Sequence, residues 1–488
     1  MRSVQRVAAT TVALLVVACG GGGGDDSDSD GGSGGGGADS SPSLTITQPL
    51  DGALAMTTLP IDVRCVDDRP RCEVDVRYYH DYCTGRGCTV DVREYSEVLA
   101  RGTAGLATTL DLEQIARGPE QGLEFRATDS AGQITTVSRR VFVARSDPRL
   151  TPITTVRGDI VDFDGTRVLY VAEDAAGAHP AIYTPSLGVT ETIPLGDGWA
   201  VYPFRKLSPY SDARLTPDGA LFRAERPSEV FVQLPAGAAR HQVFLWRSGT
   251  LSALPNSENA GDIAVAGSFA IWENGVINAA LYRVDTRTGE SEVVEPHTQS
   301  TADVAADGTV VFIDQNLQLV SDRAGQRSVL APYGSFDPVI EGTSVAFTAF
   351  ANYSNIFIRT RSLALIVGGA APVVLSVPTM NSVTYAPQLA GGWVAFLDTA
   401  GQPNPQVYRR DPEGTISRIT DFEGGGLLER LAPNGDAMVY RGGARMLSRG
   451  TTLTPISGSV WEGRSYWFNG HWYITIGATL LSVDTNGL

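Results

Sequence analysis

One pattern recurs eight times along most of the chain: a two-residue turn ending in Gly, most often preceded by Asp or Asn, and directly after it an apolar strand. Two copies are Asp307-Gly308 before TVVFID and Asn434-Gly435 before DAMVYRG. Glycine suits the positive φ of hairpin turns, and Asp or Asn before it tolerates left-handed backbone. Further strands follow each copy, among them IFIRTR at residues 356–361 as the third strand of the fifth unit, so the repeat predicts eight units of four antiparallel strands.

The spacing of the units predicts how they assemble. Successive turns lie 34 to 54 residues apart, which brackets the roughly 40 to 45 residues of a four-stranded β-propeller blade. The eighth unit shows three strands, whereas residues 149–155, before the first unit, resemble a fourth strand such as residues 452–456. A closed ring needs such an overlap, because an open one leaves an exposed edge. We therefore expect residues 147–488 to form an eight-bladed propeller closed by its N-terminal strand, with an open β-solenoid as the alternative.

The composition supports an all-β chain and excludes one class of partner. The 488 residues include 54 Gly and 27 Pro, and no long segment keeps the 3.6-residue apolar period of a helix. The formal net charge is -16. Without a cluster of Lys and Arg, such a chain is not expected to bind the phosphate backbone of nucleic acids.

The first 42 residues read as an export signal and a tether. Residues 1–18 carry Arg2 and Arg6 and then a short apolar run, which is typical of a secretory signal. The sequence LVVAC, ending at Cys19, resembles the bacterial lipobox, and the resemblance implies that Cys19 carries lipid. Residues 19–42 are rich in Gly, Asp and Ser and cannot bury apolar surface. The resemblance implies a lipoprotein of the outer membrane, on its periplasmic side or on the cell surface.

Residues 43–146 contain about seven short strand-like stretches, which is the rhythm of a β-sandwich. The sequences ITQPLDG and FRATDSAGQ resemble bacterial immunoglobulin-like domains. Four cysteines lie here, and in an exported chain they favour disulfides. We expect Cys65 to pair with Cys72 and Cys83 with Cys88, because each pair closes a short loop between neighbouring strands. A zinc site is the alternative, although the Cys spacings are not those of a C-x-x-C knuckle.

The turns LTPDG and LAPNG, at residues 215–219 and 431–435, resemble those of TolB-type, WD-like propellers. TolB-type propellers have six blades and a preceding α/β domain, whereas this chain has eight units and a predicted sandwich. The resemblance therefore implies the fold of residues 157–488 and does not transfer a partner.

Sequence signals of catalysis are few. The five histidines are isolated from one another, without metal-ligand spacing, and we predict neither a metal nor a cofactor. Most acidic residues lie in turns, where Asp accepts hydrogen bonds from backbone amides. The aromatic residues between 461 and 473 alternate along strands, which favours packing between blades over stacking on a sugar.

One inter-blade segment, residues 197–211, combines length, aromatic residues and positive charge in an acidic protein. Exposed aromatics beside Arg are typical of interface hot spots. We expect this segment and the next long loop to form the edge of a site for an anionic ligand or an envelope protein. The candidate residues are Trp199, Tyr202, Arg205, Lys206, Tyr210, Arg240 and His241. The alternative is that Trp199 folds inward and only fixes the loop.

Together these features predict a monomeric, lipid-anchored binding or scaffold protein of the cell envelope, in which the propeller presents the binding surface. The alternative is a hydrolase or lyase that acts on an exported glycan or peptide.

Overall fold

The computed structural model describes residues 40–68, 71–82, 92–96, 98–112, 118–143, 147–174, 177–196, 198–201, 213–226, 241–258, 260–275, 279–298, 302–332, 335–350, 361–375, 384–399, 403–441, 444–456 and 463–486. The named elements in these ranges are all β-strands, so the all-β prediction is confirmed. Nowhere in them is there a helix with the length and apolarity needed to cross a membrane.

The first nine strands form two sheets that share one core. Their bounds are β1 Ser43–Gln48, β2 Ala53–Ala55, β3 Thr58–Val66, β4 Glu73–Tyr82, β5 Val92–Tyr95, β6 Ala100–Thr103, β7 Gly105–Asp111, β8 Gly118–Thr128 and β9 Ile134–Val143. One sheet has the order β1-β3-β7, and the other has the order β2-β9-β8-β4-β5 with β6 beside β4. Alternate residues of β3 point inward and meet Val74, Leu123 and Phe125 of the second sheet. This is a β-sandwich; the finer resemblance to immunoglobulin-like domains stays a prediction.

A disulfide joins Cys65 and Cys72, the first of the two predicted pairs. It links the end of β3 to the residue just before β4, and both half-cystines are buried. The main chain of Ala104 also bridges them, since its carbonyl accepts from the Cys65 amide and its amide donates to the Cys72 carbonyl. Cys83 and Cys88 lie outside the described residues.

The remaining strands form eight four-stranded antiparallel sheets, the blades of a propeller. Blade 1 consists of β11 Gly158–Phe163, β12 Val168–Asp174, β13 Gly177–Thr184 and β14 Val189–Thr192, and blade 2 consists of β15 Ala213–Thr216, β16 Gly219–Glu225, β17 His241–Arg247 and β18 Thr250–Ala253. Blade 3 consists of β19 Ala260–Ala266, β20 Phe269–Asn274, β21 Ala279–Asp285 and β22 Glu290–Thr298, and blade 4 consists of β23 Asp303–Val304, β24 Val310–Ile313, β25 Leu319–Arg323 and β26 Gln326–Ala331.

Blade 5 consists of β27 Ser335–Glu341, β28 Ser344–Phe350, β29 Arg361–Ile366 and β30 Val373–Val374. Blade 6 consists of β31 Thr384–Ala390, β32 Trp393–Asp398, β33 Gln406–Arg410 and β34 Ile416–Arg418. Blade 7 consists of β35 Leu427–Leu431, β36 Ala437–Arg441, β37 Ala444–Arg449 and β38 Thr452–Pro455. Blade 8 consists of β39 Ser465–Phe468, β40 His471–Ile476 and β41 Thr479–Val483, joined by β10 Leu150–Thr155.

The blades pack face to face around a ring. The second strands are almost entirely buried, as in the VVFI of β24, because both of their faces meet a neighbouring blade. Each pair of consecutive blades shares an apolar cluster. One of these clusters joins Phe163 of the first blade to Tyr466 and Leu480 of the last. The ring is therefore closed and has eight blades, as predicted.

β10 closes the ring as the fourth strand of blade 8. It pairs antiparallel with β41, from Leu150 opposite Val483 to Thr155 opposite Thr479. Leu150 is buried in the cluster between blades 7 and 8. The predicted overlap of the two ends of the propeller is confirmed.

The sandwich contacts the propeller at the same blade. Phe142 of β9 is 2% exposed and lies in the apolar cluster between blades 7 and 8. Gly477, in the turn before β41, has φ +56° and leaves room for its ring, since a Cβ there would lie 2.2 Å from Cε2 of Phe142. The Ala478 amide donates to the Gly52 carbonyl, 2.9 Å away. A side chain and a main-chain hydrogen bond thus fix the sandwich to blade 8.

One strand was predicted in the wrong place. In the fifth unit the sequence IFIRTR, residues 356–361, indicates the third strand, but the strand that pairs with β28 is β29, Arg361–Ile366. Each stretch contains a short apolar run, IFI at residues 356–358 and LALI at residues 363–366. The buried side chains from Leu363 to Ile366 decide the difference, because they fill the interfaces with blades 4 and 6.

Candidate functional site

Of the seven predicted loop residues, the structure describes Trp199 and His241. Ala200, next to Trp199, exchanges two main-chain hydrogen bonds of 2.9 Å with Glu225. His241 lies opposite Glu225 on the neighbouring strand, and its Nε2 is 3.3 Å from a Glu225 carboxylate oxygen. The two described residues therefore flank the same residue, at the end of β16 where the long loop begins.

The Trp199 ring is half-buried and packs inward. Its centroid lies 5.4 Å from that of Phe244 in an edge-to-face arrangement. The Arg226 guanidinium covers its face at 4.6 Å. These contacts are those of the alternative interpretation, in which Trp199 fixes the loop. Tyr202, Arg205, Lys206, Tyr210 and Arg240 lie outside the described residues, so their part in a ligand site stays a prediction.

A second group of polar side chains lies on the innermost strands, where five blades contribute one residue each. We call it the axial cluster: Asp162, Arg214, Asp303, Arg430 and Tyr466, from blades 1, 2, 4, 7 and 8. The residue pairs between the first and second strands of each blade are counted from the turn that joins them. Asp162, Asp303 and Arg430 belong to the second pair. Arg214 and Tyr466 belong to the third pair. The five residues therefore occupy one level of the ring.

The charges of the axial cluster act on one another across the ring. Arg214 of blade 2 helps to lower the pKa of Arg430 of blade 7, after desolvation, which is the larger cause. It also opposes the rise in the pKa of Asp303 of blade 4. These blades are not neighbours, so their side chains can interact only near the propeller axis.

Both carboxylates of the axial cluster tie one blade to the next. Asp162 accepts a hydrogen bond of 2.8 Å from the Leu215 amide and lies 3.4 Å from Nη1 of Arg214. Asp303 accepts one of 2.9 Å from the Ile340 amide. Gln388 makes the corresponding bond of 2.8 Å to the Leu431 amide. An acceptor on a first strand thus repeatedly binds a main-chain amide of the following blade.

Asp303 differs from an ordinary surface carboxyl. Burial raises the pKa of Asp303 to about 6. The amides of Ile340 and Val304 and the charge of Arg214 lower it and only partly offset the burial. A carboxyl in this position changes its charge within the range from mildly acidic to neutral pH.

Arg430 is the cation of the axial cluster that has no hydrogen-bond partner among the described residues. In the part of the chain that the structure describes, it makes no hydrogen bond and no ion pair. Its side chain is exposed to solvent, yet desolvation by surrounding protein lowers its pKa. The guanidinium is therefore accessible to solvent although protein surrounds it.

The nearest acidic neighbour in sequence, Glu429, is already engaged. Its two carboxylate oxygens accept from Nε and Nη2 of Arg445 at 3.0 and 3.2 Å. Nη2 of Arg445 also donates to the Tyr440 hydroxyl at 2.6 Å. Arg445 is 1% exposed. Glu429 is therefore occupied by Arg445, and it acts on Arg430 only through its charge.

Tyr466 supplies a second unused polar group. Its hydroxyl is buried without a hydrogen-bond partner among the described residues, and burial raises the pKa of Tyr466, so the group is protonated at neutral pH. Its ring packs edge-to-face on Phe163, 5.9 Å between centroids. The predicted role of the aromatic residues in blade packing is confirmed for Tyr466, while its hydroxyl belongs to the axial cluster.

The turn pattern alone does not predict the axial cluster, although a sequence motif marks two of its residues. The two TolB-like turns each follow an arginine, in RLTPDG from Arg214 and in RLAPNG from Arg430. In both motifs the Leu amide after the Arg binds the preceding blade. The motif fixes the main chain through Leu and directs Arg to the axis.

The described residues contain no group of three or more His, Cys, Asp or Glu side chains that could hold a metal ion. The chemistry of the axial cluster is that of charge and hydrogen bonding: one unpaired guanidinium, one unpaired hydroxyl, one ion pair and one carboxyl with a raised pKa.

Comparisons with known proteins add little beyond the fold. No protein family and no curated protein matches the sequence. Among solved structures, the tricorn protease matches with a TM-score of 0.38 and 13% identity over 79% of this chain and 45% of the other, so the match spans less than half of that protease. TolB from Acinetobacter baumannii matches with a TM-score of 0.32 and 13% identity, over 66% and 79% of the two chains. Oligogalacturonate lyase from Vibrio parahaemolyticus matches with a TM-score of 0.37 and 10% identity, over 74% and 96%. Similarities this distant say nothing about activity, and the propeller assignment follows from the eight sheets themselves.

Proposed function

We propose that this protein is an exported, lipid-anchored binding protein whose propeller takes a polar group of its ligand or partner into the axial cluster. The observation that carries the proposal is Arg430, a solvent-accessible guanidinium at the axis without a protein partner among the described residues. A guanidinium that protein surrounds without a hydrogen-bond partner loses favourable hydration, and a bound anionic or polar group restores favourable interactions. We infer binding rather than catalysis, because the two carboxylates of the cluster tie blades together.

The anchor is the part of the proposal that rests on Cys19. A lipobox without its thiol receives no lipid, so Cys19→Ser should move the protein from the membrane fraction to the soluble fraction. Membrane fractionation of cells that express either form measures this. Unchanged membrane partition of Cys19→Ser would contradict the anchor.

The binding function is tested by affinity capture from envelope extracts with the full-length protein in detergent. Arg430→Gln removes the unpaired charge, while Arg323→Gln removes a surface arginine of blade 4 whose side chain is 68% exposed. We expect Arg430→Gln to lose the captured component and Arg323→Gln to retain it. Equal capture by the two variants would exclude the axial cluster.

The loop that carries Trp199 remains a second, peripheral part of the proposed surface. The strand order places the links between blades at the end of the ring opposite to the first hairpin turns, whereas the axial cluster lies near those turns. The loop would therefore contact a partner from the far end of the same ring. Alanine at Tyr202, Arg205 and Tyr210 together should weaken capture without lowering the melting temperature; full capture by the folded variant would remove the loop from the proposal.

Asp303 supports an enzymatic alternative. A carboxyl with a pKa of about 6 can accept or donate a proton near neutral pH, as general acid–base catalysis requires. If the protein is a hydrolase or lyase, incubation with exported glycans or peptides should yield shorter products, and Asp303→Asn should abolish them. Without such products in the wild type, this alternative fails.

A further inference from the structure

We propose that Arg430 and Tyr466 form a carboxylate-binding site, in which the Arg430 guanidinium and the Tyr466 hydroxyl together bind one carboxylate group of a ligand. This inference rests on the proposed function and names the chemical class that the axial cluster accepts.

The donors that such a site needs are present and unused. A guanidinium offers a planar fork that binds both oxygens of a carboxylate, and the fork of Arg430 has no partner within the described residues. Tyr466 is 3% exposed, and its buried hydroxyl also has no hydrogen-bond partner among the described residues. The two groups lie on the innermost strands of adjacent blades, Arg430 on β35 and Tyr466 on β39, and each influences the ionisation of the other. A buried hydroxyl that donates to nothing costs free energy, which an acceptor on a ligand would restore.

The other members of the axial cluster limit the charge of the ligand. Asp162 and Asp303 are held in place by the amides of the next blade and cannot turn away. Asp162 acts on the ionisation of both Arg430 and Tyr466, so its carboxylate would repel a dianion such as phosphate more strongly than a monoanion. The one guanidinium without a hydrogen-bond partner among the described residues also offers a single positive charge. The arrangement therefore favours a single carboxylate over a phosphate.

The test uses trifluoroacetate as a carboxylate probe, observed through the broadening of its fluorine NMR signal by the full-length protein in detergent at constant ionic strength. We expect the wild type to bind the probe and acetate to displace it more effectively than inorganic phosphate does. Arg430→Gln should weaken binding by about tenfold or more, the loss of a charge-assisted hydrogen bond. Tyr466→Phe keeps the ring packing and should weaken binding about 2- to 12-fold, the effect of one neutral hydrogen bond. Arg323→Gln should leave binding unchanged.

One further variant and a folding control keep the inference falsifiable. Arg430→Lys retains the charge but loses the fork, so it should bind the probe less well than the wild type and better than Arg430→Gln. Thermal melts identify any variant that fails to fold, and Tyr466→Phe then decides. Unchanged probe binding in folded Arg430→Gln, or stronger displacement by phosphate than by acetate, overturns the carboxylate site. If the probe does not bind but Arg430→Gln still abolishes capture from envelope extracts, the inference fails while the proposed function stands; if capture is also unaffected, both fail.

Discussion

The amide of Leu215 donates a hydrogen bond of 2.8 Å to Oδ2 of Asp162, so that a side chain of the first blade binds the main chain of the second. The Asp303–Ile340 and Gln388–Leu431 contacts repeat this arrangement between later blades. A propeller whose neighbouring blades share no main-chain ladder gains a directional contact from each such bond.

Asp162→Ala should therefore destabilise the propeller by about 1–3 kcal/mol, because it leaves the buried Leu215 amide without an acceptor. Asp162→Asn keeps an oxygen at this position and should recover most of the loss. Denaturant unfolding of the full chain measures both. Equal stability of the Ala and Asn variants would contradict this role for the carboxyl oxygen.

The contact between the sandwich and blade 8 can be separated from backbone strain by a matched pair of glycines. Gly477 and Gly450 have nearly the same φ, +56° and +57°, but a Cβ at Gly477 meets Phe142 at 2.2 Å, whereas one at Gly450 meets nothing within 4 Å. Gly450→Ala should cost about 1–2 kcal/mol from its left-handed backbone alone. Gly477→Ala should lower the melting temperature considerably more, since Phe142 must move as well. Equal melting temperatures of the two variants would show that the sandwich contact contributes nothing.

Closure by β10 predicts where the ring opens first. Replacing Leu150–Thr155 with Gly and Ser of equal length keeps the connection to the sandwich but removes the apolar contact of Leu150 and weakens the pairing with β41. We expect faster hydrogen exchange in β41 and in β11, on the two sides of the seam, and a lower melting temperature. The same replacement of Val189–Thr192, the exposed outer strand of blade 1, serves as the control and should leave β41 protected. Unchanged exchange in β41 after the β10 replacement would contradict closure.

Asp303 predicts a pH dependence of stability. Its folded pKa of about 6 lies above the ordinary value of 3.8 because of burial. The folded state therefore binds more protons than the unfolded state between these two values, and stability decreases as the pH rises from about 4 to about 6. Asp303→Asn cannot lose this proton, so its melting temperature should fall less than that of the wild type over the same interval. Parallel pH profiles of the two proteins would show that Asp303 is not the group responsible.

The sequence predicted most of the fold because the repeat is local. Each Asp-Gly or Asn-Gly turn specifies its own hairpin, and the surplus strand at residues 149–155 already indicates a closed ring from the order of the residues alone. The third strand of the fifth unit was wrong because two adjacent stretches each contain a short apolar run, and only packing between blades separates them. Local pattern therefore predicts that a strand exists better than it predicts which residues form it.

The candidate site was less predictable, because it consists of single residues from blades far apart in sequence. Arg214 and Arg430 precede the same turn motif, but nothing in the sequence places Asp303 or Tyr466 beside them. Their proximity follows from the curvature of the ring. The predicted loop was chosen by composition, and the structure uses its Trp199 for packing against Phe244.

Because the chain is synthesised from its N-terminus, β10 is made long before β41, the strand with which it pairs. The hydroxyls of Thr155 and Thr479, 3.0 Å apart in the finished ring, are separated by 324 positions in the sequence. At about 5–20 residues per second, the first strand of this pair emerges about 16 to 65 s before its partner. Throughout that interval β10 is an unpaired edge that can join another chain instead. The most vulnerable period of the propeller is therefore its own synthesis, and it ends when β41 is made.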